Sequence, residues 1–228
     1  SDSVIRAHRE AEIASLEKWK ALTGERKPLM VLTNVSGGGM RSALFSFEAM
    51  CALDQLTEGK YSLHNRMITG ASGGMLGASY FREGLIRNPK ALQSDSVIAS
   101  MGNLLSRDAL NDVVFSLVVG DLFINPHTFK RGAYHYRKDR GYTFEEVINN
   151  HTRGYFRKTL GRYADGEAQA YFPRIIYAPV IVGDGRRLII SSSPASFLTV
   201  TTEKPVLPDD YDGVEFLSFF KEHSPLEL

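Results

Sequence analysis

Leu29-Met30-Val31-Leu32 running into Gly37-Gly38-Gly39-Met40-Arg41, and Arg66-Met67-Ile68-Thr69 running into Gly70-Ala71-Ser72-Gly73-Gly74, are the stretches that decide the fold. Each is a short apolar run, a glycine-rich turn and then a helical pattern. The run Met75-Leu76-Gly77-Ala78-Ser79-Tyr80-Phe81 predicts a buried helix behind the second turn. Two strand–turn–helix units in succession predict an α/β fold with both turns at the carboxyl ends of strands. In open α/β sheets that edge gathers helix N-termini, whose unpaired N–H groups face ligands.

The second turn fits G-x-S-x-G, in which small neighbours let a serine occupy a sharp, strained bend between strand and helix. Ser72 is therefore the candidate nucleophile, with Gly70, Gly73 and Gly74 shaping the elbow. Gly37, Gly38 and Gly39 lack side chains that would block close approach. With the dipole of the following helix, their N–H groups are suited to hold a developing oxyanion. Arg41 has a fork of donors, and is expected to brace this loop, or to meet an anionic headgroup.

The paired motifs resemble the patatin-like phospholipases and the related cytosolic phospholipase catalytic domains, whose signatures are a G-G-G-x-R loop and a G-x-S-x-G elbow. The segment Asp139-Arg140-Gly141-Tyr142-Thr143-Phe144-Glu145-Glu146 looks like the D-R-G segment of the cytosolic branch. Pro173-Arg174-Ile175-Ile176 and Gly185 to Ser191 look like its late strand pair, so the resemblance covers roughly residues 29 to 200. It implies a three-layer α/β/α fold, with a central, mostly parallel sheet flanked by helices. It also implies a lipid acyl hydrolase that uses a serine–aspartate dyad without histidine. The dyad aspartate normally lies in a D-G-G or D-A-G motif, and nothing after Ser191 matches one. The expectation is a domain that is C-terminally incomplete, its aspartate lying beyond Leu228.

Two internal aspartates compete for that role. Asp184, between Gly183 and Gly185, reads as a hairpin turn. Asp212-Gly213 follows the polar Pro208-Asp209-Asp210-Tyr211 and reads as a loop. An α/β-hydrolase triad of Ser72, Asp184 and His223 has the right chain order. That fold, however, places several strands before its nucleophile, and here only one convincing strand precedes the elbow's own. Gly37 to Ser42 approaches a dinucleotide fingerprint, but lacks both a ribose-binding acid on a second strand and a G-K-[ST] continuation. Ser36 is read as shaping the glycine loop, and Ser191-Ser192-Ser193 as a polar strand end or a helix-capping loop.

The chain has 228 residues, 43% of them apolar and 23% charged, and a formal net charge of +1. One domain over residues 1–228 is the natural division, with an N-terminal helix in 1–27 and a helical, cap-like insertion over 88–170. Arg6 through Leu22 reads as amphipathic, with Ile13, Leu16 and Trp19 inward. Thr143 and Glu146 form a capping-box pattern that predicts a helix from Phe144 towards His151. Val113 to Val119 is strongly apolar, and fits a strand, a buried helix or a cap wall equally well. Pro205 to Pro208 reads as a connector.

The single cysteine, Cys51, lies on the apolar pattern Leu44, Phe47, Cys51 and is expected to be buried; it rules out an intrachain disulfide. No run of about 18 apolar residues predicts a membrane span. A cytoplasmic or membrane-peripheral location is expected, with no cofactor, metal or nucleic-acid partner. Residues 127–162 carry nine lysines or arginines against three acids, interleaved with Phe129, Tyr134, Tyr136, Tyr142 and Tyr155. Such a stretch suits an anionic lipid surface, or is simply a solvated face. The substrate class is a phospholipid or other acyl lipid. A lipid-binding module without turnover is the reading from a different class.

Overall fold

The computed structural model describes residues 2–109, 114, 128–131, 134–201 and 212–219, and shows a mixed α/β fold. Helix α1 (Asp2–Thr23) precedes strand β1 (Val31–Val35) and helix α2 (Gly39–Leu56). A short helix α3 (Lys60–His64) leads into β2 (Asn65–Gly70), and α4 (Ser72–Arg87) follows. Then come α5 (Asp95–Leu105), the strands β3 (Thr128–Arg131) and β4 (Tyr134–Arg137), α6 (Arg140–His151) and the short α7 (Ala164–Ala168). The chain continues through β5 (Arg174–Tyr177), β6 (Arg187–Ile189) and β7 (Gly213–Glu215).

Strands β1, β2 and β5 form a parallel sheet in that spatial order. Its register aligns Val35 with Gly70 and Gly70 with Tyr177, so three chain exits share one edge. The glycine loop, the elbow and Tyr177 all emerge there. β1 starts two residues later than the apolar run suggests, which carries the strand up to the glycine loop.

Alternation along the strands separates the two faces. Ile68 and Ile175 point into a core shared with Phe47 and Cys51 of α2 and Ala78 and Phe81 of α4, all essentially solvent-free. On the opposite face Arg174, which neighbours Ile175, donates to Glu12 of α1 at 2.5 Å. α1 is further held by the Ser15 hydroxyl, which donates to the Glu167 carbonyl at 3.0 Å, and by Trp19, whose indole N–H donates to the Leu63 carbonyl at 2.8 Å. This explains a correction on α1. Trp19 is buried and Leu16 partly so, but Ile13 is half exposed, because the inward stripe runs through Ile5, Glu12, Ser15 and Trp19. Polar residues occupy that stripe to meet Arg66 and Arg174.

The buried charges are mutually engaged. Arg82 donates to Glu167 at 2.6 Å, and Lys158 pairs with Glu83 at 2.5 Å. Burial pushes the Glu167 carboxyl upward, while Arg82, the Ser192 hydroxyl and Arg174 pull it the other way.

A second correction concerns α6. It begins one turn before the capping-box reading, because the Asp139 carboxylate caps it, accepting from the amides of Gly141 at 2.9 Å and Tyr142 at 3.1 Å. A charged cap at a helix N-terminus outcompetes a neutral threonine. Upstream, β3 and β4 form an antiparallel hairpin within the stretch expected to hold helices and loops. Val113, Phe115 to Val119, His127, Pro205 to Pro208, and His223 with the chain's last residues lie outside the described residues.

Candidate active site

Ser72 is the first residue of α4 and has φ +48°, a left-handed conformation uncommon for a residue with a Cβ. The bend is built by its neighbours. Ala71 is extended and its amide donates to the Val35 carbonyl at 3.1 Å, so the elbow is tied to the end of β1. Gly70, at φ +149°, lies so close to the Val35 backbone that a Cβ would overlap its carbonyl oxygen. A Cβ on Gly74 would strike the Ser36 carbonyl in the same way.

The triple glycine faces this bend. A Cβ on Gly37 would sit 3.3 Å from the Ser72 Cβ, so bare backbone is presented towards the nucleophile. Gly38 precedes α2 at φ +149° and Gly39 opens it at φ +64°. Among the described residues nothing accepts from the amides of Gly37 or Gly38, and the three glycines and Ser72 are solvent-exposed. The structure thus brings together Gly37, Gly38, Gly39, Gly70, Ser72, Gly73 and Gly74.

Arg41 is exposed and makes no hydrogen bond or ion pair with a described residue. Among the described residues the loop is held by the Ser42 hydroxyl, which donates to the Ser36 carbonyl, and by the glycine contacts.

From Ser72 a cavity of about 720 Å³ runs into the domain. One face of α4 supplies Ser72, Met75, Leu76 and Ser79, so the cavity follows that helix for about 10 Å at 1.5 Å per residue. Phe144 and Ile148 of α6 and Phe156 and Leu160 beyond it form the facing wall, so part of the expected cap region does border the serine. Tyr177 and Pro179 close a side, and the Tyr177 hydroxyl shares a hydrogen bond of 2.7 Å with Ser79. Burial pushes the Tyr177 phenol above its ordinary value, with Arg82 and the Ser79 hydroxyl opposing.

Neither internal aspartate borders this cavity. Asp184 sits on the turn between β5 and β6, where its carboxylate takes the Arg186 amide at 3.0 Å and the guanidinium at 2.6 and 2.8 Å. Those bonds, the side-chain bond first, hold its pKa below the usual carboxylate value. Asp212 leads into β7 and is exposed, paired with Arg187 at 2.6 Å. The described histidines are elsewhere too: His8 shares a bond of 2.6 Å with Ser196, His64 Nδ1 lies 2.7 Å from the Leu29 carbonyl oxygen, His135 is on β4, and His151 ends α6 without bordering the cavity. No described carboxylate or imidazole is hydrogen-bonded to Ser72.

Two polar residues on the cavity wall, Glu145 at the end of the D-R-G segment and Asn149 outside any motif, are given no site role by the sequence. A polar residue beside Ile148 on an otherwise inward helix face is the signal that marks Asn149. Among the described residues no cluster of three or more His, Cys, Asp or Glu could hold a metal, and no helix is long and apolar enough to cross a membrane. No protein-family model, curated protein or solved structure matches the chain.

Proposed function

We propose that this protein is a serine acyl hydrolase of the patatin-like type that cleaves an ester in an acyl lipid. One observation carries the reading: Ser72, in a left-handed bend between strand and helix, faces the bare Gly37 backbone and opens onto a deep apolar cavity. The apolar wall supports an acyl chain as the group bound beside the serine. The parallel sheet with helices on both faces is consistent with a three-layer patatin-like core.

In the proposed reaction the Ser72 Oγ attacks the ester carbonyl carbon while a general base takes its proton. The carbonyl oxygen becomes an oxyanion held by the amides of the Gly37–Gly39 loop. The C–O bond to the alcohol then breaks, the alcohol leaves with a proton, and water releases the fatty acid from the acyl-enzyme. The base is a carboxylate outside the described residues, in keeping with the dyad that the family resemblance implies. Peripheral contact with a membrane surface would run through the basic hairpin β3–β4, which leads directly into the cavity wall on α6.

A fluorescent fluorophosphonate tests the reading, with the adduct located by peptide mass spectrometry. An adduct on Ser72, lost in Ser72→Ala, supports it; a Ser72→Ala protein that still hydrolyses acyl esters at the parental rate would sink it. The lack of a base bonded to Ser72 among the described residues favours a second reading, a lipid-binding module. Vesicle binding with neither labelling nor turnover would select that one.

A further inference from the structure

The polar side chains on the cavity wall are accounted for, with one exception. Ser79 and Tyr177 bond to each other, Glu145 is engaged with a partner, and Ser72 is the nucleophile of the proposed reaction. Asn149 is 1% exposed, lines the cavity, and its Oδ1 has no hydrogen-bond partner among the described residues. Its backbone is fixed, since the carbonyl accepts from the Gly154 amide at 2.6 Å where the chain turns out of α6. A buried carboxamide oxygen left without a partner destabilises a fold, and a leucine there would extend the apolar wall begun by Ile148. The polarity at this position therefore points to a ligand.

We propose that Asn149 is a specificity-determining residue, which reads a hydroxyl on the buried part of an acyl ligand and makes the cavity prefer hydroxyl-bearing acyl lipids to plain ones. A hydroxyl fits because it donates to the carboxamide oxygen and accepts from the nitrogen, and so complements the group whichever way the amide is turned. The surrounding wall of Met75, Leu76, Phe156 and Leu160 takes the hydrocarbon. The hydroxyl can sit on the chain itself or on a glycerol moiety. That the ligand is acyl rests on the hydrolase reading above.

The test is displacement of a fluorescent fatty acid from the Ser72→Ala chain, in which turnover plays no part. Competitors are stearate, hydroxystearates substituted near the carboxyl, at mid-chain and towards the methyl end, and monostearoylglycerol. A hydroxystearate is expected to compete about tenfold better than stearate, because a site built to bond a hydroxyl leaves its own polar group unpaired against an analogue lacking one. An advantage confined to monostearoylglycerol supports the same role for Asn149 and assigns the hydroxyl to the alcohol moiety. Asn149→Leu is expected to erase the preference while still binding stearate, and Asn149→Ser to reduce it. Equal competition by plain and hydroxylated ligands in the Ser72→Ala chain overturns the proposal whether or not the Asn149 variants fold. No binding of the fluorescent acid at all overturns the acyl-cavity reading as well, so the two failures are distinct.

Discussion

Gly73 lies directly against the carbonyl oxygen of Gly39, with no room for a Cβ between them. One turn on, Gly77 meets the Ala43 carbonyl in the same way, so α2 and α4 cross backbone to backbone. This crossing, more than any side chain, sets the glycine loop beside Ser72. Gly73→Ala must push the helices apart and should lower stability by about 2 kcal/mol or more, the range for overpacking. Gly161→Ala is the control: nothing lies within 4 Å of its would-be Cβ, and the cost should stay under about 0.5 kcal/mol. Urea denaturation of both variants checks this; similar losses would mean that the crossing is not tight.

Ser72 itself is under backbone strain at φ +48°. Glycine visits that region freely, so Ser72→Gly should be at least as stable as the parent, by up to about 1 kcal/mol, although glycine elsewhere usually destabilises. The same variant should lose fluorophosphonate labelling completely. A Ser72→Gly protein melting well below the parent would show that the bend is relaxed.

Much of this arrangement is legible in the sequence, because its signals are local. Glycines at 37, 70, 73 and 74 mark where backbone is closely approached, those at 38 and 39 take positive φ, and apolar runs before them mark the strands. The hairpin turn at Asp184 and the burial of Cys51 follow from equally local chemistry. What escapes the sequence is set by contacts distant along the chain. Ile13 faces outward because α1 turns Glu12 and Ser15 towards Arg174 and Arg66, more than 50 residues away. Asn149 and Glu145 enter the site only because α6 folds over α4. The start of α6 departs from the capping-box pattern because Asp139, just ahead of that pattern, is the stronger cap.

Asp184 and Asp212 are satisfied by Arg186 and Arg187 on exposed turns away from the cavity. Asp184→Asn and Asp212→Asn should each leave kcat/KM for an acyl ester within about twofold of the parent, as is usual for surface substitutions. A drop of a hundredfold or more in either variant would make that aspartate the missing base.

Cys51 is fully buried, and burial, reinforced by Asp54 and Glu48, pushes its thiol up to about 12 from an ordinary value near 9. The folded chain therefore holds the thiol proton at pH values where the unfolded chain has lost it. Its contribution to stability is intact below about pH 9 and is lost progressively as pH rises towards 12. At pH 8 iodoacetamide should leave Cys51 unmodified in the native protein and alkylate it in urea. Rapid native alkylation would contradict the buried placement.

The hairpin β3–β4 pairs Thr128 with Arg137 and Lys130 with His135, so Lys130, His135 and Arg137 share one exposed face. Among the described residues neither Lys130 nor Arg137 is paired with a carboxylate. The hairpin is anchored from its other face, where the Phe129 ring packs on Tyr136 at 5.4 Å and on Tyr142 of α6 at 4.9 Å. An anionic bilayer meeting the basic face would gain about 1 kcal/mol per cation, and α6 would carry the cavity wall along with it. Lys130→Glu combined with Arg137→Glu should weaken binding to phosphatidylglycerol vesicles by about thirtyfold or more, the equivalent of about 2 kcal/mol. Binding of the parent should fall as salt shortens the screening length, and neutral phosphatidylcholine vesicles should bind parent and variant alike. Co-sedimentation of the Ser72→Ala chain measures this without interference from hydrolysis. Undiminished binding by the doubly reversed variant would return the hairpin to the status of an ordinary solvated surface.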